Sequence, residues 1–78
     1  MKIERLTELG TNKQAIIREI QGGSGPVSRL DSMGIRPGVK ITKLSSHFWR
    51  GPVTVLVGKA KIAVGHGVAH KILVEVSE

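Results

Sequence analysis

The run Arg29-Leu30-Asp31-Ser32-Met33-Gly34-Ile35-Arg36-Pro37-Gly38 leaves the backbone very little choice. Upstream, Gly22-Gly23-Ser24-Gly25-Pro26 makes a turn-rich approach to a short helix near residues 26–33. Gly25 is expected to cap it, with Pro26 at the first helical position, where a missing N–H has no consequence. Gly34 suits the left-handed residue just past the helix end, and Ile35 can then fold back on Leu30. Met33, directly before that glycine, is expected in the core rather than as a soft metal ligand, because a thioether suits copper(I) and otherwise fills apolar gaps. Pro37-Gly38 forbids helical continuation and predicts a type II turn with positive φ at Gly38. A strand should start at Val39. The helix is thus clamped at both ends and aimed into a sheet.

The rest of the chain is strand-like. Residues 14–20 carry Ile16, Ile17 and Ile20, β-branched residues that favour a pleated surface. Ala15 and Ile17 share a face that Ile20 leaves, so a bulge is expected near Arg18-Glu19. In 39–44, Val39 and Ile41 alternate with Lys40 and Thr42, and Leu44 again switches parity. Residues 45–52 are expected as a loop. Residues 53–57 alternate cleanly, Gly58-Lys59 fits a two-residue type II′ hairpin, and Ala60, Ile62 and Val64 return. A helical turn near 66–70 precedes a closing strand with Ile72, Val74 and Val76. In the opening segment, Leu6 and Leu9 would point one way from a helical turn capped by Thr7.

About five short strands, parity switches, corner glycines and one short helix describe a mainly β fold, a small SH3-like barrel. An OB-fold is the alternative, although its strands are usually longer. Residues 1–78 fit one domain, with no internal repeat or linker.

The motif Arg-Leu-x-x-Met-Gly-Ile-x-Pro-Gly-x-x-Ile, here starting at Arg29, resembles the signature of the FeoA family, small cytosolic partners of the bacterial ferrous-iron transporter FeoB. Leu6-x-x-Leu9-Gly10, Ala15-x-Ile17-x-x-Ile20-x-Gly22-Gly23, Gly51-Pro52-Val53 and Ala69-x-x-Ile72-x-Val74-x-Val76 fall where that family would put them. The resemblance spans roughly residues 5–76. It implies an SH3-like barrel and an accessory role in ferrous-iron uptake, acting by binding the cytosolic part of FeoB, whose N-terminal part is a GTPase. The segment around His66 departs from the family pattern, which carries an arginine nearby.

The residues themselves bound the function classes. There is no apolar run near the ~20 residues needed to cross a bilayer, no signal-peptide pattern and no cysteine. These features lead to the expectation of a cytoplasmic protein without membrane insertion. Ser45-Ser46-His47 has no carboxylate close by, the six acidic residues are scattered, and the glycine-rich run leads into Pro26-Val27 rather than Lys-Ser/Thr. The expectation is a non-enzyme that requires no cofactor. A net charge of +6 could serve nucleic acid, an anionic membrane or an acidic protein, but the twelve Lys and Arg never cluster.

Binding residues follow from the same reading. Arg29 and Arg36 flank the helix and are either solvated, locally paired, or docking groups for an acidic partner. Phe48 and Trp49, the only Phe and Trp, stand beside Arg50 in one loop, as a barrel plug or a partner anchor. His66 and His70, four apart, share one face of a helical turn and offer at most a weak divalent site for zinc or iron, two ligands being too few alone. Leu30, Met33, Gly34, Ile35, Pro37 and Gly38 form the structural motif. Two other readings are a nucleic-acid-binding barrel, in which Phe48 and Trp49 would stack bases, and a stand-alone relative of the SH3-like domain of metal-dependent repressors. No specific nucleic-acid binding is expected, since only Arg50 accompanies the aromatics.

Overall fold

The computed structural model describes residues 2–46 and 51–77. Phe48, Trp49 and Arg50 therefore lie outside the described residues, as does His47. Among the described residues six antiparallel strands form a single sheet: β1 (Lys2–Arg5), β2 (Gln14–Ile20), β3 (Lys40–Ser46), β4 (Val53–Val57), β5 (Ala60–Val64) and β6 (Ile72–Val76). Their order is β1-β6-β2-β3-β4-β5, so β1 and β5 are the two edges. Two helices interrupt the strands, α1 (Ser24–Ser32) and the single turn α2 (His66–Ala69).

Both expected bends are register shifts. Against β6, the pairing of β2 slips between Ile17 and Glu19. Against β4, the pairing of β3 slips between Lys43 and Ser45, which leaves Leu44 as the extra residue. Each extra residue increases local twist, which lets a sheet of short strands curl around one core. That core takes Ala15 and Ile17 from β2, Val53 and Val55 from β4, Ile72 and Val74 from β6, and Leu30 and Ile35 from the clamp.

The clamp closes as its residues require. The Ile35 amide donates to the Leu30 carbonyl at 2.9 Å, and the Gly34 amide donates to Asp31 at 3.0 Å. This is a Schellman closure, with Gly34 at φ +85°. Leu30 and Ile35 are both fully buried. Next, the Val39 amide donates to the Arg36 carbonyl at 3.2 Å with Gly38 at φ +92°, the geometry of a type II turn. The Gly38 amide reaches the Ile17 carbonyl at 2.7 Å, and the Ile17 amide reaches the Val39 carbonyl at 2.9 Å. The turn is thereby stitched to β2, which sets β3 beside it.

Five details depart from expectation. β3 runs through Ser45 and Ser46, expected as the start of a 45–52 loop, because they pair with Thr54 and Val53 of β4. Gly23, not Gly25, is the N-cap of α1, and its carbonyl accepts the first bond from Val27. Pro26 sits third in the helix, still among the first residues, whose N–H groups have no partner within the helix. The opening segment forms β1, which pairs with β6 from Lys2↔Val76 to Arg5↔Leu73. A 3₁₀ turn at Leu6–Glu8 follows, and its start is held by the Arg5 amide on Glu8 Oε1 at 2.8 Å rather than by Thr7. Finally, Met33 is not in the core: it is 39 % exposed. The chain re-enters the barrel through Ile35, which leaves the C-cap residue Met33 at the rim.

Lys43 shares the parity of the core residue Ile41 on β3 and is buried with it. It is 3 % exposed, and its Nζ donates to the carbonyls of Leu6 (3.3 Å), Thr7 (3.0 Å) and Leu9 (2.7 Å). One ammonium has three donors, so the 3₁₀ turn and the residue after it are held to β3 by a fully used side chain. Burial pushes its pKa below the ordinary 10.5, and the nearby Glu4 carboxylate partly offsets this.

Candidate functional site

The clamp that orders α1 also sets the helix beside the open edge of the sheet. Between them lies a groove of about 430 Å³ lined by Gly25, Pro26, Arg29, Leu30 and Met33 on one side and Ala63, Val64, Gly65 and Val68 on the other. Leu30 and Val64 are buried and form its floor, and Val68 belongs to α2. Met33 and Arg29 stand at the rim, both exposed. The helix pattern explains this: Leu30 faces inward, so its neighbour Arg29 turns outward.

The Arg29 carbonyl accepts from Ser32 Oγ at 2.7 Å, but its side chain makes no ion pair or hydrogen bond among the described residues, and the residue is exposed. Arg36 differs. Its Nε lies 3.0 Å from Asp31 Oδ1, and its Nη2 donates to the Asp31 carbonyl at 3.0 Å, which folds it over the end of α1. Both partners are more than half exposed, so the pair contributes at most about 1 kcal/mol. The locally paired reading holds for Arg36, and Arg29 alone keeps an uncommitted charge beside the groove.

His66 and His70 do share a face. Their rings stack with centroids 6.2 Å apart and planes 17° from parallel. His70 Nδ1 lies 3.3 Å from Thr7 Oγ1, and the His70 carbonyl accepts from Arg5 Nη1 at 2.7 Å. The hydroxyl contact occupies Nδ1, so a metal would have to take Nε2. No group of three or more His, Cys, Asp or Glu that could hold a metal ion occurs among the described residues. Lys71 borders the same hollow, which adds a positive charge where a cation would sit.

The structure thus gathers Leu30, Met33 and Arg29 around one groove, puts Arg36 on the helix end, and places the histidine pair on the neighbouring turn. Sequence reading missed the groove, because its far wall is a strand edge whose exposure depends on the order of strands. No described helix is long and apolar enough to cross a membrane.

Comparison with known proteins gives a consistent result. The FeoA domain family matches residues 4–76. A Methanocaldococcus jannaschii protein named Fe(2+) transport protein A is 38 % identical over 66 residues, covering 85 % of this chain and 78 % of that protein. The crystal structure of an iron uptake regulatory protein (FeoA) superposes with a TM-score of 0.86 at 33 % identity, covering 96 % of this chain and 97 % of the other. A manganese-dependent transcriptional repressor superposes with a TM-score of 0.87 over 96 % of this chain and 42 % of its own length. At 17 % identity that likeness shows the fold alone. The barrel is SH3-like, as expected.

Proposed function

The chain belongs to the FeoA domain family, and from that premise we propose that it is a non-catalytic accessory protein of ferrous-iron uptake that binds the cytosolic part of a FeoB-type transporter. The observation that carries this reading is the groove beside α1, an apolar channel rimmed by the unpaired Arg29. It is built by the same motif that marks the family. A small barrel offers few deep sites, and a rigid scaffold that presents a groove and a strand edge is suited to gripping another protein.

Its place of action is the cytoplasm, and iron is the cargo of the transporter rather than a group this chain holds. The net charge of +6 favours fast, salt-sensitive association with an acidic surface. Arg29, Arg36, Phe48, Trp49 and Arg50 are the side chains proposed to contact the partner. Two measurements test the reading. The purified cytosolic domain of a FeoB-type transporter should bind the chain in a titration, weakening as salt rises. Expression of the chain should restore ferrous-iron uptake in cells that retain FeoB but lack their own FeoA. Absence of both would overturn it, and salt-resistant binding to a single-stranded oligonucleotide would favour the nucleic-acid reading instead.

A further inference from the structure

We propose that the open edge of β5, with the groove between it and α1, binds an extended acidic and apolar segment of a partner protein by strand addition. That the partner is the transporter rests on the preceding reading; the binding mode rests on the geometry below.

The register of the β4–β5 hairpin decides which backbone groups are free. Val57 and Ala60 flank the two-residue turn at Gly58-Lys59. In a two-residue hairpin that first pair exchanges both hydrogen bonds, and bonded pairs then recur at every second position. Val55↔Ile62 and Val53↔Val64 are accordingly bonded pairs, while Leu56↔Lys61 and Thr54↔Ala63 are not. Lys61 and Ala63 therefore turn their N–H and C=O groups away from β4. Since β5 is the last strand in the sheet, no strand among the described residues covers them. Nor do they take part in any of the turn or loop backbone bonds among the described residues. Two donors and two acceptors are thus presented along the edge, with the two residues about 7 Å apart by strand rise.

The groove adjoins this edge. Ala63 and Val64 point to opposite faces of the sheet, so a wall that includes both is the edge of the strand rather than a face. A strand laid on Lys61 and Ala63 would send alternate side chains into the space lined by Leu30, Met33, Val64 and Val68. A volume near 430 Å³ admits one or two aliphatic side chains.

Charge selects the occupant. Arg29 on the far wall is unpaired among the described residues, Lys61 lies on the edge itself, and the chain carries +6. A second copy would bring another Lys61 and Arg29 to the same seam. Edge lysines act against such self-pairing. A segment alternating carboxylate and aliphatic residues satisfies the backbone, the groove and the two cations together.

The experiment uses the ¹⁵N-labelled full chain and the peptide acetyl-Glu-Val-Asp-Leu-Glu-Val-Asp-amide, with a control in which every acidic residue is Lys. The acidic peptide should shift the Lys61 and Ala63 amides and slow their exchange with solvent at least tenfold. Arg29→Glu should weaken it at least fivefold. Ala63→Pro, which removes one outward donor while the ladder to β4 stays intact, should do the same, with urea midpoints confirming that both variants fold. The control should not bind. No binding of the acidic peptide, shifts confined to another surface, wild-type affinity in both variants, or a dimer that forms through β5 would overturn the proposal. The transporter's cytosolic domain then separates the two claims. Binding to wild type and both variants alike overturns edge docking and leaves the transporter reading standing. Peptide capture at β5 without any domain binding overturns the transporter reading and leaves edge docking standing.

Discussion

The Ile35 amide reaches back to the Leu30 carbonyl at 2.9 Å, and both side chains are buried in the same core. One hydrogen bond thus ends the helix and returns the chain to the barrel. The closure depends on Gly34 holding φ +85°. A side-chain carbon there would meet nothing closer than a Val57 methyl at 3.9 Å, so space is not the constraint. Backbone conformation is. Gly34→Val should destabilise the chain by about 1–2 kcal/mol or more, because a β-branched residue resists positive φ. Leu30→Ala should destabilise by about 2–5 kcal/mol through cavity formation. Urea melts measure both, and wild-type midpoints for the pair would refute the clamp.

Lys43 supplies a second test, one with a pH signature. Lys43→Met leaves the carbonyls of Thr7 and Leu9 without the ammonium donor, while the Leu6 carbonyl keeps the Leu9 amide at 3.3 Å. Unsatisfied buried acceptors cost about 1–3 kcal/mol each, partly relieved by relaxation, so a total loss of about 2–4 kcal/mol is expected. The sign of the pH dependence follows from proton counting. The unfolded chain keeps the Lys43 proton up to the ordinary 10.5, and the folded chain releases it earlier. Between those values unfolding takes up a proton, so this group makes stability rise with pH across the window. Below the folded value its contribution is flat. Urea midpoints followed up to pH 10.5 should show that upward contribution in wild type and lose it in Lys43→Met.

Much of the fold was legible because local chemistry and global fold agree. Gly34 and Gly38 need positive φ, Ala15 and Ile17 cannot share a face with Ile20 without a bulge, and Gly58-Lys59 selects a tight hairpin. What stayed hidden depended on contacts between distant segments. β1 has weak strand chemistry, with Lys2, Glu4 and Arg5 in four residues, and exists because β6 offers it an edge. Lys43 falls on the Ile41 face of an alternating strand, but nothing local accounts for a charge at an inward position. It is buried because the 3₁₀ turn presents three carbonyls to it, an arrangement set by residues more than thirty positions earlier. The candidate site was half visible: Arg29 and Met33 belong to the motif, while the β5 wall is fixed by strand order.

The histidine pair should bind zinc weakly and lose it on His66→Ala or His70→Ala. Two imidazoles on one turn supply half of a tetrahedral set, and Lys71 and Arg5 bring positive charge close by. Calorimetric titration with zinc should therefore show weak binding. Tight stoichiometric ferrous binding by the monomer would show that a complete ligand set exists after all.

Met33 separates stability from docking at a single position. It lies three residues past Leu30, at the C-cap of the same short helix, yet it is 39 % exposed where Leu30 is buried. Met33→Ala should therefore leave the urea midpoint within about 0.5 kcal/mol of wild type, as at ordinary surface sites. The same change removes an apolar rim of the groove, so binding of the transporter's cytosolic domain should weaken. If Met33 is a central anchor there, the loss is about 2 kcal/mol, and a smaller one places it at the periphery of the contact. A loss of stability comparable to Leu30→Ala would return Met33 to the core. Unchanged stability with unchanged binding would remove the groove from the interface.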